Sequence, residues 1–492
     1  CLEKQPEQRF QSARDLAFAL RAALGGEAES GAAVDSIAVL PFTNVSPDPE
    51  ADYLSDGLTE SIINSLARLP RLRVMPRSTV FRYKGQDVDP QAVGRELGAR
   101  AVLTGRVILR GETLVVATEL VDVDRQSQLW GERYNRKFSD IFAIEEEIAA
   151  RISESLRGTL TGEEKKRLAH RATQDSEAYQ LYLKGRHAFF RRTLESFQQA
   201  LRYFRQAIEK DPGFALAHSG LADTFSLLSY WSLLPGREAF REAKEAALRA
   251  VALDPDSAEA HTSLASVRIA YDRNWREAET GYRRAIELNP AYWQAHTWYA
   301  VMLLAPQGRD DEAVAEVRKA LDLEPLSLAV NYHAAMVFYQ LRRPEEVVRY
   351  CRRTLDIDPD YAMAHFWLGL ALVDQGRLEE PLAELERVRE LDNHPGATGA
   401  VAHLHAIAGR RTEAETALGE MLRRSQERYL DPFWLAAPYA GLNQPDQVFA
   451  CLHQSCEDRS CCPVFFLHDP RLDPVRKDPR FLDLQRRLGL PT

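Results

Sequence analysis

A recurring proline constrains the fold of this 492-residue chain more than any other feature. Each of these prolines follows an acidic residue or an asparagine. They are Pro212, Pro255, Pro290, Pro325 and Pro359, at spacings of 43, 35, 35 and 34 residues. Proline ends a helix because it lacks the backbone N–H and clashes with the preceding turn. A period near 34 predicts a repeated helix–turn–helix unit, and such units stack into a solenoid because none can bury its apolar face alone.

Small and aromatic residues recur at fixed steps inside these units. In two of the units an alanine is followed after four residues by an aromatic residue, after three more by a second alanine, and after five more by the proline. This spacing places the aromatic residue and the two alanines on one face of the helix. The residues are Ala200, Phe204 and Ala207 before Pro212, Ala278, Tyr282 and Ala285 before Pro290, and the first-helix pairs Leu221-Ala222, Leu264-Ala265 and Leu368-Gly369. This pattern resembles the tetratricopeptide repeat over residues 177–465, in about seven or eight units. The resemblance implies an all-α solenoid whose concave groove binds another protein.

We predict that protein partners bind in this groove. Repeat proteins recognise partners through side chains that vary with the partner, so the candidate groove residues are chosen by position alone. They are Arg268, Trp298, Asn331 and Asp374. The alternative is that each of them is ordinary helix surface.

Five of the 12 histidines occupy one position in the first helix of their repeats: His218, His261, His296, His365 and His403. A row of imidazoles could form a metal-binding or pH-sensing ladder. We favour structural packing, because neighbouring repeats place these positions about 10 Å apart, too far for one metal ion to bridge.

Composition and charge narrow the classes of function. A net charge of −9 without a basic stripe argues against a nucleic-acid-binding role. No run of 18 apolar residues is present and no signal peptide precedes the first domain, so we expect no membrane span and a cytoplasmic location. The cysteines Cys451, Cys456, Cys461 and Cys462 lack the paired spacing of a zinc site, and we interpret them as structural.

Residues 36–158 show the alternation of an α/β domain. The apolar run 37–42 predicts a buried strand, and Ser55-Asp56-Gly57 predicts the start of a helix with Leu58, Ile62, Leu66 and Leu69 on its apolar face. A second strand at 72–75, a helix at 90–99, a hairpin of 101–107 and 114–120, a strand near 128–130 and a helix at 139–158 follow. Asp56 and Glu60 have no paired base or nucleophile nearby in sequence, so we predict capping and helix-dipole roles for them.

Four segments of this domain carry a family resemblance: Ala38-Val39-Leu40-Pro41-Phe42, residues 53–60, Val102-Leu103-Thr104-Gly105-Arg106-Val107 and residues 129–134. They resemble the TolB amino-terminal-like domain. In that family the domain is joined to kinase, cyclase or winged-helix modules, and its own ligand is poorly defined.

Residues 1–24 predict one amphipathic helix after Pro6. The run from Cys1 to Phe10 also resembles the end of a bacterial Ser/Thr protein kinase domain, with Gln5 in place of the usual aspartate. The resemblance implies that Arg9 pairs with a buried glutamate of the kinase. Residues 25–34 are small and polar and predict a linker. The chain lacks a glycine-rich phosphate loop and the His-Arg-Asp and Asp-Phe-Gly triplets, so ATP and Mg²⁺ are expected only in a kinase domain upstream.

Residues 466–492 predict an amphipathic helix that caps the exposed end of the solenoid. We predict no catalytic, cofactor-binding or metal-binding residues in the chain. Our interpretation is a non-catalytic regulatory and protein-interaction region of a bacterial signalling protein, most simply a Ser/Thr kinase. The alternatives are the scaffold region of a transcription regulator or nucleotide cyclase, and an enzyme that acts through the α/β domain.

Overall fold

The computed structural model describes residues 35–46, 51–67, 69, 72–157, 173–191, 193–374, 379–392 and 394–492. The predicted kinase remnant (1–24) and linker (25–34) lie outside these residues. The described chain forms an α/β domain followed by an all-α solenoid, which confirms the predicted fold class.

The α/β domain is one mixed sheet with helices on it. Its elements are β1 (Ser36–Val39), β2 (Thr43–Asn44), α1 (Asp52–Ala67), β3 (Arg73–Val74), α2 (Arg77–Phe81), α3 (Pro90–Leu97), β4 (Ala101–Arg110), β5 (Thr113–Asp122), β6 (Ser127–Lys137) and α4 (Ile141–Arg157). The strand order is β3-β1-β4-β5-β6, with β2 beside β4. Strands β3, β1 and β4 are parallel, and β4, β5 and β6 form an antiparallel meander.

Each face of the sheet has a close contact that shows what packs on it. The ring of Phe42 packs on Gly105, where a Cβ atom would lie 2.6 Å from the ring. On the opposite face, Gly94 of α3 approaches Val102 and Val123 so closely that a Cβ atom would lie 2.8 Å and 2.3 Å from their methyl groups. Helix α3 therefore covers that face at the first residues of β4, and the rest of the meander is more exposed there.

The sequence missed the true start of α1. This helix begins at Asp52, so Asp56 and Glu60 lie within it and neither caps it nor sits in its first turn. Asp56 instead pairs with Lys84 at 2.7 Å. Strand β3 spans two residues only, and the short elements β2 and α2 were not predicted. These pieces are too short for hydrophobic periodicity to define them.

In the described part of the chain, the solenoid consists of eight helix pairs. They are α5 (Ser176–Phe190) with α6 (Leu194–Lys210), α7 (Ala215–Tyr230) with α8 (Gly236–Leu253), α9 (Ala258–Val267) with α10 (Trp275–Leu288), α11 (Trp293–Trp298) with α12 (Asp310–Leu323), α13 (Leu328–Gln340) with α14 (Pro344–Ile357), α15 (Ala362–Asp374) with α16 (Glu379–Leu391), α17 (Pro395–Ile407) with α18 (Arg411–Glu427), and α19 (Phe433–Gly441) with α20 (Pro445–Glu457). The helices α21 (Cys462–Phe466) and α22 (Pro479–Leu488) follow.

The difference between the 35-residue and 34-residue spacings of the prolines has a structural cause. Each of the two 35-residue repeats contains a π-helical turn at the end of its first helix, Arg268–Asp272 in one and Tyr299–Leu304 in the other. The 34-residue repeat that follows has none between Leu328 and Ile357. A π turn accommodates one extra residue without breaking the helix, so the extra residue is absorbed and the stacking is kept.

The predicted small and aromatic positions pack as expected. Ala278, Tyr282 and Ala285 are fully buried, as are their counterparts in α6. The ring of Phe204 lies between two glycines, Gly185 of α5 and Gly220 of α7. A Cβ atom at either glycine would lie 2.6 Å from the Phe204 ring.

Replacing Gly220 with alanine is therefore expected to destabilise the fold. The clash should cost about 1–3 kcal/mol, more than the helix-propensity gain of under about 1 kcal/mol. Gly419 is the matched control, because it is also helical and a Cβ atom there would meet nothing within 4 Å. Urea unfolding should show Gly220→Ala less stable and Gly419→Ala more stable than the parent. Equal effects at the two sites would contradict the close packing of Phe204.

The α/β domain and the first repeat share one core. Leu183 of α5 packs on Gly57 of α1, and the rings of Tyr179 and Phe142 have centroids 4.8 Å apart. The Tyr179 hydroxyl also donates a hydrogen bond to Glu145 at 2.9 Å. The two regions, predicted as separate domains, are therefore continuous in their packing.

Candidate protein-interaction site

Trp298, one of the four candidate groove residues, lies on the inner face of the solenoid, and its side chain is covered there. Its side chain is 3% exposed. It borders a cavity of about 20 Å³ together with Tyr230, Met302 and Phe465. A volume of this size holds about one water molecule, so the cavity is too small for a ligand.

Asn331 is fully buried, and its side chain hydrogen-bonds the turn that precedes its own helix. Its Nδ2 donates hydrogen bonds to the carbonyls of Pro325 and Ser327, both at 2.9 Å. Asn331 occupies the position that histidine occupies in other repeats. In each case the side chain reaches the carbonyl of the proline six residues earlier: His218 to Pro212 at 3.3 Å, His261 to Pro255 at 2.8 Å, His296 to Pro290 at 2.9 Å and His365 to Pro359 at 2.8 Å.

These contacts explain the repeated histidines. A carbonyl only accepts, so the Nε2 atom of each ring carries the proton and ties the first helix to the preceding turn. His296 and His365 also bond Glu316 and Glu384 of the second helix through Nδ1, at 2.5 Å and 2.6 Å. His403 differs, because its Nδ1 bonds the carbonyl of Ala437. The structural interpretation fits these contacts, although hydrogen bonding and not only packing explains the residue type.

Replacing His261 with alanine is expected to lower the free energy of unfolding by about 1 kcal/mol, the typical net value of one hydrogen bond. His261→Asn should retain most of the stability, because Asn331 makes the same bond from the same position. Thermal and urea unfolding of the two variants test this. An asparagine variant as unstable as the alanine variant would contradict the role of the proline carbonyl.

The other two candidate groove residues are Arg268 and Asp374. Arg268 pairs with Glu277 of the next helix at 3.1 Å. Asp374 is the last residue of α15, and its side chain lies outside the described part of the chain. Of the candidates with described side chains, Trp298 and Asn331 are buried and Arg268 is paired, so these three do not form an open site.

Residues 461–476, which we call the inner segment, cover the inner face of the later repeats. Phe466 is 4% exposed, and its ring centroid lies 5.6 Å from that of Trp367. It also lies 6.1 Å from the centroids of Tyr230, Phe433 and Trp434. First helices from opposite sides of the solenoid thus meet around one phenylalanine.

Polar contacts fix the inner segment in register. Gln340 donates to the carbonyl of Phe465 at 3.1 Å, and Arg342 donates to the carbonyl of His468 at 3.0 Å. Tyr339 donates its hydroxyl to Asp469 at 3.0 Å, and Asp469 forms a buried ion pair with Arg471 at 2.6 Å. The solenoid therefore holds this segment partly through its backbone carbonyls.

The end of the chain covers the last repeat and also joins two earlier ones. Arg480 of α22 pairs with Asp446 of α20, as a cap on the last repeat would. However, Trp275 donates to the carbonyl of Leu488 at 3.0 Å, and Gln307 donates to that of Gly489 at 2.9 Å. The segment predicted as a cap thus contacts the last repeat through Arg480 and the third and fourth repeats through Leu488 and Gly489.

Glu324 joins the solenoid to the α/β domain. In the other repeats the residue before the proline is Asp or Asn, and its side chain bonds the backbone N–H two residues later. Glu324 has a longer side chain and instead accepts hydrogen bonds from the backbone N–H groups of Arg77 and Ser78, at 3.0 Å and 2.8 Å. The glutamate was visible in the sequence as the exception among five repeats, but its partner was not.

A charged cluster lies where α1 meets the first repeat. Glu60 accepts a hydrogen bond from Arg186 at 2.8 Å and lies 3.3 Å from Arg77. About a fifth of the Glu60 and Arg186 side chains is exposed. Burial raises the pKa of Glu60, but the guanidinium groups of Arg186 and Arg77 outweigh it and leave the pKa below its ordinary value. The role of Glu60 is therefore to bind the two domains together.

Asp223 is a buried carboxyl group on the inner face. Ser263 donates to it at 2.6 Å and Gln294 at 3.2 Å. Burial raises its pKa to about 7, although the bonds from Ser263 and Gln294 and the charge of Arg186 act in the opposite direction and Glu259 adds repulsion. The group is therefore partly protonated near neutral pH.

This carboxyl group should make stability depend on pH. Its pKa is about 7 in the folded protein against 3.8 as the ordinary value, so the folded state binds more protons between these values. Stability should then fall as pH rises from 4 to 7, by up to about 1.4 kcal/mol per pH unit. Asp223→Asn should flatten this slope and be more stable than the parent at pH 8. Urea unfolding from pH 5 to pH 8 measures it, and parallel curves for the two proteins would contradict it.

The four late cysteines have buried or half-buried thiols. Burial raises the pKa of Cys451 to about 12 and that of Cys456 to about 11. Cys461 and Cys462 are within 1% of full burial. Across the described residues, no three His, Cys, Asp or Glu side chains are placed to hold a metal ion. A search of the described helices also found none with the length and apolarity needed to cross a bilayer.

Comparisons with known protein families match both regions of the chain. Residues 270–327, 307–362 and 332–398 match the model of the tetratricopeptide repeat. The repeats between residues 270 and 398 are tetratricopeptide repeats. Residues 33–151 match the second domain of HilA/YgeH-like transcriptional regulators.

Two curated proteins and one solved structure show further similarity. "Putative adenylate cyclase 3" of Rhizobium meliloti (strain 1021) is 41% identical over 187 residues, which is 38% of this chain and 32% of that protein. The Tol-Pal system protein TolB of Alkalilimnicola ehrlichii is 31% identical over 125 residues, which is 25% of this chain and 28% of TolB. This chain thus spans less than a third of the length of either relative. A thermophilic tetratricopeptide protein of Thermus thermophilus, TTC0263, is 20% identical, with a TM-score of 0.34 over 40% of this chain and 99% of that one.

Proposed function

We propose that this chain is the non-catalytic regulatory and protein-interaction region of a bacterial signalling protein that acts in the cytoplasm. The observation that carries the proposal is the shared core between a domain similar to part of a transcriptional regulator and a tetratricopeptide solenoid. A unit of this kind would couple partner binding to an effector domain elsewhere in the polypeptide. Its α/β domain is proposed to be TolB-like, in agreement with the similarity to TolB.

The proposal allows more than one kind of effector domain. The similarity to a putative adenylate cyclase favours a nucleotide cyclase, and the match to HilA/YgeH-like regulators favours a transcription regulator. None of these comparisons supports a Ser/Thr kinase, so the kinase stays a prediction from residues 1–24. ATP and Mg²⁺ would be needed only by a cyclase or kinase domain outside this chain.

The proposal is tested with this chain and with the polypeptide extended upstream to its natural start. Both proteins are incubated with ATP and Mg²⁺, and formation of cyclic AMP and transfer of labelled phosphate to a protein acceptor are measured. We expect activity in the extended polypeptide and none in this chain alone. DNA binding by the extended polypeptide is measured in parallel, to identify a transcription regulator.

Two results would overturn the proposal. Catalysis by this chain alone would assign chemistry to the α/β domain or the solenoid. An extended polypeptide without cyclase, kinase or DNA-binding activity would leave this region with no effector to regulate.

A further inference from the structure

A region that recruits partners needs an accessible surface, and the inner segment covers the inner face of the later repeats. The outer face of the β4-β5-β6 meander is different. Beyond the part that α3 covers, its side chains are exposed or half-buried. We name this area the sheet patch: Arg106, Ile108, Arg110, Thr113, Val115, Ala117, Arg133, Asn135 and Lys137.

The register of the strands places four cations at the corners of the sheet patch. Arg106 and Arg133 flank Ala117 in one row, and Arg110 and Lys137 flank Thr113 in another. Strands lie about 4.8 Å apart and residues rise about 3.4 Å each, so the corners span about 10 Å across the strands and about 13 Å along them.

An apolar centre lies between these corners. The middle row contains Ile108 and Val115, with Asn135 at its outer end. Both apolar side chains are half-buried, and Thr104 and Glu119 are the polar residues of the next row but one on the same face. On this face of the sheet, the row next to the patch contains an acidic residue, Glu119, which lies opposite Gly131.

The four cations are unpaired among the residues that the structure describes. Arg106, Arg110, Arg133 and Lys137 make no ion pair and no side-chain hydrogen bond with any described residue, whereas half of the described arginines of the solenoid are paired with Asp or Glu. The chain as a whole carries a net charge of −9. A cluster of unpaired positive charge on an acidic protein is complementary to a negatively charged partner.

The chemistry of the patch favours a polypeptide over a nucleic acid. Single-stranded nucleic acids bind surfaces that combine cations with aromatic side chains for base stacking, and the sheet patch contains no aromatic residue. An extended peptide instead presents residues i, i+2 and i+4 on one face, over about 13 Å. Glutamates at i and i+4 would then reach two corners, and an apolar residue at i+2 would contact Ile108 or Val115.

We infer that the sheet patch is the docking surface for an acidic extended segment of a partner protein with the pattern Glu-x-(Val/Ile)-x-Glu. This inference rests on the proposed function, since it names the class of partner that the regulatory region recruits. Recognition comes from the spacing of the cations and from the apolar centre, so a peptide with the same composition in another order should bind more weakly.

The test uses this whole chain and a fluorescein-labelled peptide built on Glu-Ser-Val-Ser-Glu. A control peptide has the same composition with its glutamates adjacent, and a 12-nucleotide oligothymidylate represents nucleic acid. Binding is measured by fluorescence anisotropy. We expect the first peptide to bind most tightly, and the double variant Arg106→Glu/Arg133→Glu to weaken it by about tenfold or more, as reversed charges do at an interface.

A matched charge-reversal control uses Arg318→Glu/Arg423→Glu. Both of these arginines are exposed on the second helices of the solenoid and have no ion-pair partner among the described residues. This variant should bind the peptide within about twofold of the parent, because its charges are outside the patch. Urea unfolding of both variants verifies that each is folded.

Three results would overturn the inference: no binding of the first peptide, equal weakening by both charge-reversal variants, or tighter binding of the oligothymidylate than of the peptide. The binding assay uses no effector domain. A failure here therefore leaves the proposed function standing, and a failure of the effector assay leaves the binding result standing.

Discussion

Replacing Phe466 with alanine is expected to lower the free energy of unfolding by about 3–5 kcal/mol, the usual cost of emptying a buried aromatic site. Phe466 contacts first helices from opposite sides of the solenoid, through Tyr230 on one side and Trp367 and Trp434 on the other. Its loss would leave a cavity that those rings cannot fill without moving the repeats. Urea unfolding followed by circular dichroism measures the effect.

Leu482 provides the control within the same terminal segment. Its side chain is 39% exposed on α22, so Leu482→Ala should change stability by less than about 0.5 kcal/mol. If Phe466→Ala costs no more than Leu482→Ala, the inner segment does not hold the solenoid together, and the inner face would be available to partners after all.

Replacing Arg186 with alanine is the second change with a large expected effect. It leaves Glu60 at the domain boundary with Arg77 as its remaining cation. Removing one partner of a buried pair typically costs 3–5 kcal/mol, and the partial exposure here reduces the expectation to about 2–4 kcal/mol. The pKa of Glu60 is lowered, so the contribution is present above its ordinary value of 4.5 and is lost as pH falls through the folded value.

Two further variants separate the buried pair from a general charge effect. Lys210 pairs with Glu177, but both side chains are more than half exposed, so Lys210→Ala should destabilise the protein far less than Arg186→Ala. The double variant Glu60→Gln/Arg186→Met should recover part of the stability lost in Arg186→Ala, because no unpaired carboxylate is left. A double variant that is less stable than Arg186→Ala would contradict an uncompensated charge as the cause.

The repeats could be predicted because their information is local. Pro290, Tyr282 and Ala285 fix the second helix and its packing within one unit, and the same steps recur along the chain. The hairpin around Gly111 was predicted for the same reason, since its two strands are adjacent in sequence. Strands β1 and β4 pair across more than 60 residues, and the alternation of strands and helices placed them in one domain without indicating that they pair.

The site could not be predicted in this way, because its contacts join distant parts of the chain. Glu324 bonds Ser78, which lies 246 residues earlier, and Gln340 bonds the carbonyl of Phe465, 125 residues later. The periodicity of a sequence does not indicate contacts between residues so far apart. The structure covers Trp298 with Phe465, which the sequence assigned to the last repeat and not to the inner face.

One local signal pointed to the covered groove. The first helices α13 and α15 are apolar on nearly all sides, whereas second helices such as α10 and α14 have one charged face. A helix without a polar face is buried on all sides. The sequence Met363-Ala364-His365-Phe366-Trp367 therefore predicts a first helix with no solvent-facing side, and hence a groove already filled.

The bond between Trp434 and Ser232 has a consequence for how the protein folds. These residues are 202 positions apart, and their contact, with that of Arg237 and Asp458, ties the eighth helix pair to the second. Open repeat arrays unfold repeat by repeat and fold from local contacts alone. Here the second and eighth helix pairs must make contact before the array is complete. This contact raises the contact order, so folding should be slow. Single repeats should also no longer unfold independently at the ends of the array.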